Sequence, residues 1–103
     1  MKSCTTCGMP FVGAHANDIG MEIAEGPVCT FDCQNGALKS AEEIFEGGVQ
    51  FFVGAVTNGD REQAARLTRK NMQSLAYWQA HPFTLLDGAM ASDEELQSAM
   101  MKL

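Results

Sequence analysis

The first third of the chain contains two cysteine pairs, Cys4-Thr-Thr-Cys7 and Cys29-Thr-Phe-Asp-Cys33, separated by residues 8–28. Two thiolates a few residues apart can bind one metal ion from a single tight turn, and two such pairs can complete a tetrahedral site. The stretch between the pairs alternates apolar and polar residues and contains turn-forming glycines, which indicates short strands. The pattern therefore predicts a Zn²⁺ site in a zinc ribbon, where two cysteine turns meet across a small β-hairpin.

Other uses of the four cysteines remain open. A redox Cys-x-x-Cys pair usually lies where a strand leads into a helix, and Met1–Cys7 is too short to form that strand. An iron–sulfur cluster fits the number of cysteines but is less common at this spacing. Burial as small apolar side chains is less typical of a clustered set. A disulfide framework expects a secretory signal, and the N-terminal Met-Lys-Ser-Cys lacks its apolar region.

Two further stretches extend the pattern: Gly8-Met9-Pro10 follows the first pair, and Gln34-Asn35-Gly36 follows the second. With them the sequence resembles a zinc-ribbon domain family of small bacterial and archaeal proteins. That family shows a Cys-x-x-Cys-Gly-Met-Pro turn, a hairpin rich in Gly and Asp, and a second turn of the form Tyr-Cys-x-Tyr-Cys-x-x-x-Gly. The likeness covers about residues 3–38, and residues 47–103 resemble the helical extension of some archaeal members. It implies a rubredoxin-like fold; members have no settled biochemical activity, and some carry transcription-regulator labels.

The second turn departs from the family pattern. When Gly36 is aligned, Asp32 falls where the second cysteine belongs and Cys33 lies one residue late. We expect Cys33 to ligate, because thiolate is the softer ligand and Cys-x-x-x-Cys lies within the tolerated spacing. The predicted metal ligands are Cys4, Cys7, Cys29 and Cys33. Asp32 and His15 are the alternates for the fourth ligand in place of Cys33. A site without metal also remains open.

The rest of the sequence predicts helices. Ser40-Ala-Glu-Glu43 is a capping box that starts a first helix, whose apolar residues repeat at helical spacing up to Asn58-Gly59. Asp60 caps a second helix, which we expect to end at Pro82. Ser92-Asp-Glu-Glu95 is a second capping box and starts a last helix. The fold class is therefore α+β: a zinc ribbon of rubredoxin-like β-hairpins over residues 1–38, and about three helices over residues 39–103 packed against it.

One face of the second predicted helix is a candidate binding surface. It presents the only basic patch of the sequence, and its residues are Arg66, Arg69, Lys70 and Tyr77. The patch is typical of a small anion- or partner-binding surface, although an ordinary solvated helix face has the same composition. Asn71, on the opposite, apolar face, is interpreted as a hydrogen-bonded packing residue and not as a catalytic one.

The overall charge disfavours nucleic acid as a partner. The 103 residues contain 7 Lys and Arg against 13 Asp and Glu, a formal net charge of −6, whereas nucleic-acid-binding modules usually carry a basic surface. No apolar run approaches the roughly 18 residues of a membrane span. With no secretory signal, we expect a cytoplasmic protein that does not bind membranes.

These observations favour a small zinc-binding protein, with Zn²⁺ as its cofactor, that acts through a protein partner or by self-association as a possible dimer. No Gly-rich phosphate loop, nucleophile elbow or paired-carboxylate motif is present, so we expect neither an enzyme nor a small-molecule substrate. The second hypothesis is a thiol-redox or zinc-dependent enzyme with an open metal position, in which zinc would activate bound water. The third is a nucleic-acid-binding transcriptional regulator.

Overall fold

The computed structural model describes residues 2–103 and has two small antiparallel hairpins and four α-helices. The strands are β1 (Ile19–Ile23), β2 (Gly26–Cys29), β3 (Cys33–Gln34) and β4 (Ala37–Leu38). The helices are α1 (Ala41–Ala55), α2 (Arg61–Gln73), α3 (Ala76–Ala80) and α4 (Asp93–Met100), and short 3-10 turns lie at Gly13–His15 and Thr84–Leu86. The predicted α+β class is therefore confirmed. Within residues 2–103, no helix has both the length and the apolar character needed to cross a membrane.

The two hairpins carry the second cysteine pair. In the first, β1 pairs with β2 so that Ile19 lies opposite Cys29, and an irregularity between Ile19 and Met21 shifts the register. In the second, β3 and β4 are joined by Asn35 and Gly36, whose φ angles are 54° and 78°. Two consecutive positive φ angles are the mark of the tight turn that joins short antiparallel strands, and Asn-Gly is its preferred sequence.

The predicted helix starts are confirmed by their caps. The side-chain oxygens of Ser40, Asp60 and Ser92 each accept a hydrogen bond from the backbone N–H three residues further on. The carboxylates of Glu43 and Glu95 in turn accept hydrogen bonds from the backbone N–H groups of Ser40 and Ser92, which completes both capping boxes. Such caps satisfy N–H groups that have no partner within the helix, so they fix where each helix begins.

The second helix differs from the prediction. The sequence predicts one helix up to Pro82, but α2 and α3 are separated by Ser74 and Leu75. Leu75 is extended, with φ −93° and ψ 133°, and both the hydroxyl and the N–H of Ser74 donate to the carbonyl of Asn71. These bonds close a turn at the end of α2, so residues 2–103 contain four α-helices and not the three predicted.

Two cores hold the molecule together, one among the helices and one beneath the cysteine turns. The larger core consists of Ile44, Phe45, Val49, Phe52, Ala64, Leu67, Met72, Trp78, Leu86, Ala91 and Ala99. The smaller one consists of Cys4, Val28 and Cys29, with Met9, Phe11, Met21 and Ile23 packed against it. Leu38, at the end of β4, packs against both cores. The cysteine-bearing segment therefore rests directly on the helical region.

Candidate metal centre

The first cysteine pair lies on a tight turn near the start of the chain. The N–H of Cys4 donates to the carbonyl of Met9 at 2.8 Å, and the N–H of Gly8 donates to the carbonyl of Cys4 at 2.8 Å. Gly8 has a φ of 81°, a backbone conformation that costs glycine little and strains other residues. Glycine after the pair therefore permits the chain to fold back around Cys4 and Cys7.

The second turn is built onto the end of β2. The N–H of Thr5 donates to the carbonyl of Pro27 at 2.9 Å and so joins the first turn to β2, whose last residue is Cys29. After β2, the N–H of Asp32 donates to the carbonyl of Cys29 at 3.1 Å, and the carbonyl of Asp32 accepts from the N–H of Lys39 at 2.9 Å. The backbone of Asp32 is therefore fixed by bonds on both sides.

These two turns bring four possible ligands together. One ligand atom from each of Cys4, Cys7, Cys29 and Asp32 lies within 4.8 Å of all the others. Cys4, Cys29 and Asp32 are buried, at 1%, 0% and 7% exposure, and Cys7 is half-buried. Four such side chains in a closed space are able to hold a metal ion.

Two of the donor separations match those of a tetrahedral ion. With Zn–S bonds of about 2.3 Å and a Zn–O bond of about 2.0 Å, a tetrahedron separates two sulfurs by about 3.8 Å and a sulfur from an oxygen by about 3.5 Å. The Sγ atoms of Cys7 and Cys29 lie 3.7 Å apart, and Cys4 Sγ lies 3.6 Å from Asp32 Oδ2. The cysteines are free thiols, and a disulfide would need sulfurs about 2.05 Å apart.

The four groups resist ionising together. Burial raises the pKa of Asp32 to about 6. The hydrogen bond with Cys4 raises the pKa of Cys29 to about 12, and a bond to Cys29 together with burial raises the pKa of Cys7. The pKa of Cys4 is lowered because Cys29 and Cys7 hydrogen-bond to it. Without a cation the cluster favours one thiolate at Cys4, whereas a metal ion would stabilise all four negative donors.

A buried hydroxyl supports the group from within the first turn. Thr6 has no exposed surface, and its Oγ1 donates to Asp32 Oδ2 at 2.6 Å. The same oxygen lies 3.3 Å from Cys4 Sγ, which also accepts the N–H of Cys29 at 3.2 Å. Metal-binding carboxylates and thiolates are usually held by such outer hydrogen bonds, which orient them.

The structure brings three of the four predicted cysteines together and places Asp32, one of the two alternates, beside them. Cys33 lies outside this group: its Sγ contacts the carbonyl of Cys29 at 3.4 Å. A Cβ added at Gly20 of β1 would lie 2.5 Å from Cys33 Sγ, so the thiol occupies the space left by that glycine. His15 is also outside the group, and its ring is 2.8 Å from the carboxylate of Asp18 on the exposed surface.

The predicted basic face is largely engaged within the chain. Arg69 donates from Nε to the carbonyl of Leu85 at 2.9 Å and from Nη1 to the carbonyl of Ala89 at 3.0 Å. Its guanidinium also lies 5.5 Å from the centre of the Phe45 ring. Arg69 therefore holds the segment between α3 and α4 against the helices.

The other members of that face make intramolecular contacts too. Lys70 pairs with Asp93 at the start of α4 at 2.6 Å, and Arg66 lies 3.5 Å from Glu62 one turn earlier. Tyr77 is on α3, and its ring stands edge-on to that of Trp78 with the centroids 4.8 Å apart. The break between α2 and α3 therefore separates Tyr77 from the helix that carries the three basic residues.

Two contacts from the helical region reach the first cysteine turn. Asn71 donates from Nδ2 to the carbonyl of Cys7 at 2.9 Å, which agrees with its interpretation as a hydrogen-bonded packing residue. Trp78 donates from Nε1 to the carbonyl of Thr6 at 2.9 Å. Neither Thr6 nor Trp78 is among the predicted site residues, and the two threonines between Cys4 and Cys7 are the one signal in the sequence that bears on Thr6.

No family model, curated protein or solved structure matches this chain. The feature of the molecule that bears on function is the group formed by Cys4, Cys7, Cys29 and Asp32.

Proposed function

We propose that this protein binds one Zn²⁺ ion through Cys4, Cys7, Cys29 and Asp32, and that the ion is structural. The observation that carries the proposal is the clustering of these four side chains, in which two donor separations come within about 0.1 Å of those in a tetrahedron. Three thiolates favour a soft or borderline ion, and zinc is the usual one for a tetrahedral site rich in sulfur.

A structural role follows from how the donors fill the site. Four protein ligands complete a tetrahedron and leave no position for a reactive water molecule, which catalytic zinc keeps. Cys4, Cys29 and Asp32 are buried and Cys7 is half-buried, so solvent approaches the group on the side of Cys7. In so small a domain, metal binding would supply much of the free energy of folding, on the order of 10 kcal/mol.

We further propose that the protein works through contacts with another protein. The chain carries a net charge of −6, which already includes Asp32, and three thiolates outweigh the charge of a divalent ion, so the metal-bound protein is slightly more negative. This charge opposes binding to phosphate backbones. Several large apolar side chains are exposed instead, among them Phe31 at 62% and Phe51 at 52%, and aromatic residues are enriched in protein interfaces.

The test is the metal content of untagged, reduced protein, measured by elemental analysis. We expect one zinc per chain in the wild type and in Cys33→Ser, and a clear loss in Cys4→Ser and Asp32→Ala. Cys33→Ser is the matched control, because it removes a thiol next to Asp32 that lies outside the group. A wild-type protein that neither contains nor takes up zinc would contradict the proposal.

The structural role has its own test. Removal of the ion with a chelator should reduce the far-UV circular dichroism and change the fluorescence of Trp78, the only tryptophan. A Co²⁺-substituted protein should keep its visible spectrum when azide is added. A spectrum that shifts with azide would reveal an open coordination position and would favour the zinc-dependent enzyme instead.

A further inference from the structure

We infer that Thr6 is the positioning residue that makes Asp32, and not Cys33, the fourth metal ligand, and that Trp78 holds Thr6 in place from the helical region. This inference rests on the proposed function. The bond from Thr6 Oγ1 to Asp32 Oδ2 is 2.6 Å long, and Thr6 has no exposed surface. A buried hydroxyl is costly unless its hydrogen bonds are satisfied, so this bond fixes the orientation of both side chains.

Asp32 needs such support because its neighbour is the stronger competitor. Cys33 offers a thiolate at the next position of the chain, and spacing alone permits either residue to ligate. A carboxylate rotates freely about its last side-chain bond, whereas one whose oxygen accepts a fixed hydroxyl is oriented before the metal arrives. Thr6 lies between two proposed ligands, Cys4 and Cys7, so its backbone is part of the first cysteine turn.

The helical region fixes the peptide of Thr6. Trp78 lies on α3, is 3% exposed, and its ring N–H donates to the carbonyl of Thr6 at 2.9 Å. Indole nitrogen is a donor only, so this bond has one direction. The extended Leu75 before α3 interrupts the helix between α2 and α3. A line of contacts therefore runs from α3 through Trp78 and Thr6 to the carboxylate of Asp32.

Thr6→Val tests the inference because valine has nearly the shape of threonine and lacks the hydroxyl. Each variant is titrated with Co²⁺ and then with Zn²⁺ in competition with a chelator, and the visible spectrum of the cobalt form is recorded. We expect Thr6→Val to bind metal 10- to 100-fold more weakly, the usual effect of removing an outer-shell partner. Its cobalt spectrum should also change, since Asp32 is no longer oriented. Thr6→Ser keeps the hydroxyl and should restore both the affinity and the spectrum.

A second pair of variants tests the link to the helical region and replaces no residue of the cysteine turn. Trp78→Phe keeps an aromatic ring and removes the donor to Thr6, so we expect a several-fold loss of metal affinity. Tyr77→Phe, the neighbouring residue, is the control and should bind like the wild type. This pair keeps the test decisive even if Thr6→Val does not fold.

The outcomes separate this inference from the proposed function. If the wild type binds metal and Thr6→Val has the same affinity within twofold and the same cobalt spectrum, the inference is overturned and the metal site stands. Equal losses in Thr6→Ser and Thr6→Val would also overturn it, because the hydroxyl would then not be the cause. If the wild type binds no metal, the proposed function fails first.

Discussion

The side-chain amide of Asn71 donates a 2.9 Å hydrogen bond to the carbonyl of Cys7, 64 positions away in the chain. The bond joins α2 to the first cysteine turn at the residue that holds one of the proposed ligands. Beside it, a Cβ added at Gly8 would lie 3.4 Å from the side chain of Leu75, so the cysteine turn is in close contact with the link between α2 and α3. The proposed metal site is therefore supported by the helices as well as by the hairpins.

Replacing Asn71 with alanine should destabilise the metal-loaded protein. The change leaves the half-buried carbonyl of Cys7 without its donor, and such a loss costs about 1–2 kcal/mol of the free energy of unfolding. Urea unfolding followed by circular dichroism measures the difference. Asn17→Ala, at an exposed asparagine, is the control and should change the free energy of unfolding by less than about 0.5 kcal/mol. Equal effects of the two changes would show that the Asn71 bond adds little.

Two neighbouring glycines of α1 should respond to alanine in opposite directions. A Cβ at Gly48 would lie 2.8 Å from Cγ2 of Thr68, a buried side chain whose hydroxyl is bonded to the carbonyl of Ala64. Thr68 has little room to move, so Gly48→Ala should lower stability by about 1–3 kcal/mol through overpacking.

Gly47 is exposed, and none of the described residues comes within 4 Å of a Cβ placed there. Gly47→Ala should therefore raise stability by up to about 1 kcal/mol through helix propensity alone. Thermal unfolding of both variants checks the pair. A Gly48→Ala protein that gains as much stability as Gly47→Ala would contradict the close packing of α1 on α2.

Arg69 should not tolerate lysine. Its guanidinium bonds the carbonyls of Leu85 and Ala89 from two nitrogens at once, a geometry that a single ammonium does not reproduce. We expect Arg69→Lys to lower the free energy of unfolding by about 1–2 kcal/mol. Arg66→Lys, on the same helix, should cost less than about 0.5 kcal/mol because Arg66 has only a long contact with the exposed Glu62. If both changes cost the same, Arg69 does not hold the 85–89 segment.

Metal binding should release one additional proton from Asp32 below neutral pH. Burial raises the pKa of Asp32 from 3.8 to about 6, so the metal-free protein loses stability as the pH rises through that range. The metal-bound carboxylate is ionised, and binding therefore expels the proton at pH 5 but not at pH 7.5.

Calorimetry in buffers of different ionisation enthalpy counts the released protons. The wild type should release about one proton more on metal binding at pH 5 than at pH 7.5. Equal numbers at the two pH values would mean that Asp32 is already ionised at pH 5 before the metal binds.

The local signals of the sequence predicted the helix starts well. The caps at Ser40, Asp60 and Ser92 depend on residues within one turn of each other, so their pattern is visible without the fold. The break after α2 depends on more distant partners. This break lets Trp78 reach the carbonyl of Thr6, which lies 72 positions earlier. The helical repeat of apolar residues continues through Ser74, so the sequence does not reveal the contact.

The spacing of the cysteines in the sequence also cannot decide whether Asp32 or Cys33 is the fourth ligand. The two residues are adjacent, so a turn that directs one side chain towards the group directs the other away from it. Two distant features favour Asp32 at the group: the hydroxyl of Thr6, which accommodates a carboxylate, and Gly20 of β1, which leaves room for the Cys33 thiol. Both features depend on how the first turn and β1 pack against the second turn. The spacing of the cysteines in the sequence does not reveal that packing.

X-ray absorption at the zinc edge, on wild-type protein and on Cys33→Ser, tests the central claim most directly. The number and length of the metal–ligand bonds identify the donors without reference to function. We predict three sulfurs at about 2.3 Å and one oxygen at about 2.0 Å, unchanged in Cys33→Ser. Four sulfurs in the wild type, with one lost in Cys33→Ser, would contradict the account and make Cys33 the fourth ligand.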